Sequence, residues 1–294
     1  MLADLTPTAT GAVVRAGQRI AWQEFGAGEH VVLLLPTWTI VHTDFWRHQV
    51  PFLAERYRVI AFDGLGNGGS DRPEDPELYG DLLVAADAVA VLDACGVDRA
   101  VVMGVSAGGT WALALAGLHP DRVAGAVFIG ANPPLAPGHP VRVAANATFD
   151  DVLTEHPGWA RWNRHYWLEQ YADFLQFFFS QCFTEPGSAT QIEHFLSMGL
   201  QTTPQVLLAS AGTGDHDLTP QQAVDLARSL ACPSLVIHGD ADAISPLARA
   251  AELARLARAE LVVLPGSGHE PQCRNPEVVN PLLDRFLQHV FVPT

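Results

Sequence analysis

Ala100-Val-Val-Met-Gly104-Val-Ser106-Ala-Gly108-Gly109 is the stretch on which the reading of this chain turns. An apolar, β-branched run stops at Ser106. A run of small helix-forming residues then extends to about 118 and closes before His119-Pro120, where proline cannot continue a helix. Strand, sharp turn and helix around G-x-S-x-G form a nucleophile elbow. The serine occupies a strained turn, and glycines two residues to either side let the flanking backbone cross without Cβ clashes. Ser106 is therefore the candidate nucleophile. The N–H of Ala107, at a helix start where free donors and the dipole favour negative charge, is a candidate oxyanion donor.

Outward from the elbow, β-like and helical segments alternate. Residues 11–25 alternate around an Ala-Gly turn and predict an antiparallel hairpin at the sheet edge. The continuous apolar run 31–35 predicts a strand buried on both faces, halting at Pro36-Thr37-Trp38. Asp44 is placed to cap a helix through about 55, followed by a strand over 57–62 and a glycine-rich turn, Asp63-Gly-Leu-Gly66-Asn-Gly68-Gly-Ser70-Asp-Arg-Pro73. Leu82, Ala85, Ala86, Val89 and Leu92 recur at helical spacing across 81–95, with Gly96 in the place of a left-handed cap. Further strands are expected at 123–129, 234–238 and 260–264, and helices at 246–259 and from Pro276. This rhythm predicts an α/β fold: a mainly parallel central sheet with helices on both faces.

Between about 133 and 219 the rhythm breaks. Aromatic residues crowd there, Trp159, Trp162, Tyr166, Trp167, Tyr171, Phe174, Phe177, Phe178, Phe179, Phe183 and Phe195 among them. Their three- and four-residue steps predict an inserted helical cap. The expected organisation is a core of 1–135 and 220–294 interrupted by a cap over 136–219. Most of the rings form the internal core of the cap, while Trp162, Tyr166 and Phe178 are assigned to the substrate.

Bulk properties narrow the class. Charged residues make up 17% and hydrophobic ones 48%, which excludes disorder, and no run of 18 apolar residues suggests a membrane span. The first residues lack a basic segment followed by an apolar one, so no secretory signal is expected and a cytoplasmic location follows. A net charge of −15, with arginine as the sole basic residue type apart from histidine, argues against nucleic-acid or anionic-membrane partners. Cys95, Cys182, Cys232 and Cys273 are too widely spaced for a zinc or disulfide reading. Asp215-His216-Asp217 is short, isolated and turn-like, so no metal is assigned.

A serine hydroxyl needs a base to take its proton, and the base needs an acid to orient it. Gly239-Asp240-Ala241-Asp242 and Gly266-Ser267-Gly268-His269 each follow a predicted buried strand, where parallel sheets place functional loops. Either Asp240 or Asp242 is available as the acid. Together these motifs resemble the capped α/β-hydrolase fold serine hydrolases over nearly the whole chain. The 63–73 turn is similar to that family's D-x-x-G-x-G-x-S-D-x-P loop, and Phe286-Leu287 after Asn275-Pro276-Glu277 fits its closing helix. The resemblance implies Ser106 as nucleophile, Asp242 rather than Asp240 as acid, and His269 as base.

One departure stands out. The family usually reads His-Gly-x after its third strand, with x giving the second oxyanion N–H, whereas this chain has Pro36-Thr37-Trp38. Trp38 becomes the donor. Thr37 lacks glycine's freedom at positive φ, which predicts a rearranged loop. His42, four residues on, is placed within reach of the pocket. His238 reads as a strand-end residue, and His165, His194 and His216 as surface or packing residues. The implied function is hydrolysis of a small apolar ester, lactone or thioester through an acyl-enzyme, with no cofactor. The alternatives are an acyltransferase or carbon–carbon bond hydrolase on the same triad, and a ligand-sensing binding protein of the same fold.

Overall fold

The computed structural model describes residues 6–211 and 218–291. Its strands are β1 (Ala9–Arg15), β2 (Gln18–Phe25), β3 (Val31–Leu34), β4 (Arg58–Phe62), β5 (Ala100–Val105), β6 (Val123–Ile129), β7 (Ser234–Gly239) and β8 (Glu260–Leu264). They form one sheet in the order β1-β2-β4-β3-β5-β6-β7-β8. β1, β2 and β4 pair antiparallel and the remaining neighbours pair parallel. The hairpin closes on Ala16 (φ 49°) and Gly17 (φ 79°), two left-handed residues whose twist matches that of the strands. β3, β5 and β7 are buried at every residue, as strands covered on both faces must be.

The helices are α1 (Gln49–Ala54), α2 (Asp81–Ala94), α3 (Ala107–Leu118), α4 (Pro140–Ala147), α5 (Arg164–Glu169), α6 (Tyr171–Cys182), α7 (Ala189–Gly199), α8 (Pro204–Ala211), α9 (Pro220–Ser229), α10 (Leu247–Ala257), α11 (Pro271–Arg274) and α12 (Pro276–Phe291). One face of the sheet is covered by the alanine- and leucine-rich sides of α2, α3, α9 and α10. α1 and α12 cover the other, through Val50, Leu53, Val279, Leu283 and Phe286. α2 ends beside Gly96, at φ 64°. Among the described residues no helix is long and apolar enough to cross a membrane.

The helix expected from Asp44 to about 55 is instead a 3-10 turn, Thr43–Trp46, followed by α1. The cap is His42, not Asp44. His42 is extended and its Nδ1 accepts the Asp44 N–H at 3.3 Å, while Asp63 Oδ1 accepts the Thr43 N–H at 2.8 Å.

α4 to α8 lie between β6 and α9, in the interval where the strand–helix rhythm lapses. Asn163, fully buried, ties the first part of this insertion together. Its Nδ2 donates to the carbonyls of Thr148, Phe149 and Asp151, and its Oδ1 caps α5 by accepting from His165 and Tyr166. Trp162, Trp167, Phe174 and Phe178 pack edge and face on one another. Trp38, from the loop after β3, inserts among them with centroids 5.3, 5.9, 6.5 and 5.2 Å away. Such pairs contribute about 0.5–1.5 kcal/mol each beyond the area they bury, so Trp38 fastens the insertion to the core.

Candidate active site

Ser106 follows β5 directly and caps α3 at φ 54°, ψ −120°, a conformation that costs a non-glycine residue free energy. Close packing holds it there. A Cβ on Gly104 would collide with the carbonyl of Gly108, and one on Gly108 would collide with the carbonyl of Pro36. Both glycines of the motif are thus required by backbone crossing, and the loop after β3 sits directly against the first turn of α3. Thr37 is buried and is not among the described residues at positive φ. The glycine freedom expected to be missing at 37 is not called on, so threonine occupies the position without strain.

The loops after β7 and β8 bring Asp242 and His269 together. His269 Nδ1 lies 2.7 Å from Asp242 Oδ2, while Asp242 Oδ1 accepts the N–H groups of Ile244 at 2.7 Å and Ser245 at 2.9 Å. Because a carboxylate accepts, Nδ1 carries the hydrogen and Nε2 is the basic nitrogen. Gly130 connects this pair to the elbow. The residue before it, Ile129, accepts the Ser106 N–H at 3.0 Å, and a Cβ on Gly130 itself would lie 3.3 Å from His269 Nδ1. Asp240 does other work: its Oδ1 accepts the Gly266 N–H at 2.6 Å.

Electrostatics follow from this packing. Burial alone would depress the His269 pKa, but the charge and hydrogen bond of Asp242, aided by Glu270 and opposed by Arg142, raise it above the ordinary value. Burial would raise Asp242, yet His269, His238 and the Ser245 N–H hold its carboxyl below the usual range. Burial pushes Glu270 up to about 7. His238, read from sequence as a bland strand end, is fully buried beside the acid. Its Nε2 faces Ser245 O at 2.9 Å and Asp242 Oδ2 at 3.3 Å, so it must be the protonated nitrogen of a neutral ring, a state that burial favours.

A cavity of about 120 Å³ opens beside Ser106 and Ala107. Trp38, Trp162 and Phe178 line it, together with Ile244, Asn132 and Arg142. Tyr166 and His42 are not part of this wall. The Tyr166 hydroxyl donates to Asp173 Oδ2 at 2.6 Å and its ring packs on His156, while His42 is spent on the 3-10 cap. His165 and His194 contact backbone and neighbouring side chains. Asp215-His216-Asp217 lies outside the described residues. Arg142 was not singled out from sequence. This buried cation lies 5.2 Å from the Trp162 ring and donates to Ile244 O at 3.0 Å; α4 turns Arg142 and Ala145 inward and leaves Val141 and Val143 exposed, so helical patterning, which groups Arg142 with Asn146 as the polar side, points the arginine the wrong way. The far wall, with Arg15, Tyr79, Asp81 and Trp111, comes from distant segments that no local pattern joins.

The two groups of rings should separate by measurement. Phe178→Leu, in the cavity wall, should change acyl-length preference, with a loss of stability smaller than that of Trp167→Ala because an apolar side chain still fills most of the space. Trp167→Ala, fully buried and outside the wall, should cost about 3–5 kcal/mol of stability. Melting curves and ester-length profiles would check both; unchanged selectivity in Phe178→Leu would remove it from the binding surface.

A family model described as alpha/beta hydrolase fold matches residues 30–276. The chain is 32% identical to the 2-hydroxymuconate semialdehyde hydrolase of Pseudomonas sp. (strain CF600), over 94% of this chain and 92% of that protein. It is 31% identical to a non-heme haloperoxidase of Rhodococcus erythropolis, over 92% and 97% respectively. The solved structure of Est816, described as an N-acyl homoserine lactone degrading enzyme, superposes with a TM-score of 0.75 at 26% identity, covering 94% of this chain and all of that one.

Proposed function

The chain belongs to the α/β-hydrolase fold family, and we propose that it is a serine hydrolase that cleaves a small, largely apolar ester, lactone or thioester through an acyl-enzyme. One observation carries this reading: a serine held at φ 54° on a helix N-terminus, beside loops that pair Asp242 with His269 at 2.7 Å. His269 Nε2 takes the Ser106 proton as Oγ attacks the carbonyl carbon. Asp242 keeps the imidazole in the Nδ1–H tautomer and stabilises the imidazolium. The N–H groups of Ala107 and Trp38 receive the oxyanion, the helix dipole of α3 adding to the first. His269 then returns its proton to the leaving group and activates a water for deacylation. The aromatic wall and the modest cavity favour a compact acyl group, consistent with similar proteins named as an N-acyl homoserine lactone degrading enzyme and a 2-hydroxymuconate semialdehyde hydrolase.

A screen of short- and medium-chain acyl esters, lactones and thioesters, with Ser106→Ala as control, tests the proposal. Hydrolysis absent from the control supports it; no turnover of any acyl compound would leave a binding role instead. The acid limb of the pH profile adds a sign. Attack needs neutral His269, and Asp242 and Glu270 together outweigh burial and Arg142 in holding its proton. kcat/KM should therefore fall as pH drops through a value above about 6.5, the ordinary histidine pKa. A limb below that value would contradict the pairing.

A further inference from the structure

The turn that leaves α6 is bonded to both loops that carry the acid and the base. Cys182 O accepts the His269 N–H at 2.9 Å, and Thr184 Oγ1 donates to Ala241 O at 3.2 Å. Glu185 Oε1 accepts the Gly268 N–H at 2.7 Å and lies 3.3 Å from Ser267 Oγ. A little farther on, Arg274 Nε donates to Ser188 Oγ at 3.2 Å, and its guanidinium to Pro186 O at 3.1 Å. The insertion therefore does more than roof the cavity; its 182–188 segment is clasped to the polypeptide on both sides of His269.

That polypeptide needs outside support. Gly266-Ser267-Gly268 contains two glycines, one at φ 69°, and glycine has more backbone freedom to lose on folding than any other residue. The loop and the turn are seated without slack. A Cβ on Gly268 would come within 2.7 Å of Cys182 O and 3.0 Å of Glu185 Oε2. Of the bonds across this contact, those from Gly268 and Ser267 end on the Glu185 carboxylate, and the Gly268 bond, at 2.7 Å, is the shortest of the set.

Building on the serine-hydrolase reading, we propose that Glu185 is a positioning residue of the active site: from the insertion it holds Gly268, and through it the backbone of His269, in the register that keeps the imidazole on Asp242 and available to Ser106. It acts through the loop and touches neither substrate nor reacting atoms. The insertion and the triad are then one mechanical unit, because displacing the 182–188 turn removes the acceptors of both Gly268 and His269 backbone N–H groups.

The test compares Glu185→Ala with Glu185→Gln, following kcat and KM on a p-nitrophenyl ester, the rate of fluorophosphonate labelling, and the melting temperature. Displacement of a catalytic group by about 1 Å costs up to 10²-fold, so Glu185→Ala should lower kcat and labelling rate about 10- to 100-fold with KM within about twofold. Glu185→Gln keeps an oxygen for the Gly268 N–H and should stay within about threefold of the parent. Unchanged kcat in Glu185→Ala, or a glutamine variant as impaired as the alanine one, overturns the proposal. Should Glu185→Ala not fold, Glu185→Asp, which draws the carboxylate back by one methylene, must still show a loss confined to kcat; an unaltered kcat there overturns it equally. Ser106→Ala, run alongside, separates the two ideas. Turnover surviving in that variant defeats the serine reading itself, whereas turnover lost there but untouched at 185 defeats the positioning role alone.

Discussion

Ser106→Ala should lower ester turnover by about 10⁶-fold, and His269→Ala by a similar factor, with the double variant no worse than either single one. The three outcomes follow from one cause. Serine at neutral pH is a poor nucleophile, and its attack requires that the proton leave as the bond forms; without the hydroxyl there is nothing to acylate, and without the imidazole there is nowhere for the proton to go. Neither change touches the Ala107 and Trp38 N–H groups, so a residual acceleration of about 10³–10⁴ over water should remain. Steady-state kinetics on purified variants, with melting curves to confirm folding, check this. Losses that add in the double variant would mean that the two side chains act in separate events.

The second expectation is a steep difference between neighbouring carboxylates. Asp242→Asn should cost about 10⁴-fold in kcat, as loss of the correct tautomer does in serine hydrolases generally. Asp242 Oδ1 receives two backbone N–H groups and Oδ2 faces His269 Nδ1. An asparagine must keep its oxygen on the backbone pair and so turn its NH₂ toward the imidazole. His269 then moves its proton to Nε2, and the nitrogen that should accept from Ser106 becomes a donor. Asp240→Asn has no such consequence, because an amide oxygen accepts the Gly266 N–H as a carboxylate does; the loss should stay within about threefold. kcat/KM for the two variants, measured at one pH on one ester, decides the matter, and a reversed ranking would transfer the acid to Asp240.

Features set by local geometry were legible in the chain itself. Gly104, Ser106 and Gly108 could be read because the crossing that demands them spans five residues, and the β7 and β8 loops because an apolar run announces each, although only β7 is buried and β8, at the sheet edge, is half-exposed where a buried strand was expected. The mainly parallel sheet and the hairpin at its edge followed from the same alternation, while the strand order did not. The helix start at 42–44 was misread because His42 does the work usually done by a short oxygen-bearing side chain, with Asp63 supplying the other bond from 20 residues away. Within the insertion, helical spacing revealed stripes of rings but not which side of each helix meets Trp38. Phe178 and Trp162 therefore reach the cavity while Tyr166 turns to Asp173. His139, whose Nε2 lies 2.9 Å from Asp242 O, joins Arg142 and Glu185 in holding the acid and base loops across separations of about 80 to 100 residues. No periodicity encodes such pairings, and they become visible once the insertion is folded down.

The central claim is that Ser106 carries the acyl group between the two half-reactions. Acid-quenching the protein during turnover of a p-nitrophenyl ester, followed by peptide mass mapping, tests it most directly. The account predicts one acyl adduct, on the peptide containing Ser106, absent from Ser106→Ala and accumulating in the parent as nitrophenol is released in a burst. An adduct on another residue, or undiminished turnover by Ser106→Ala with no adduct at all, would contradict it.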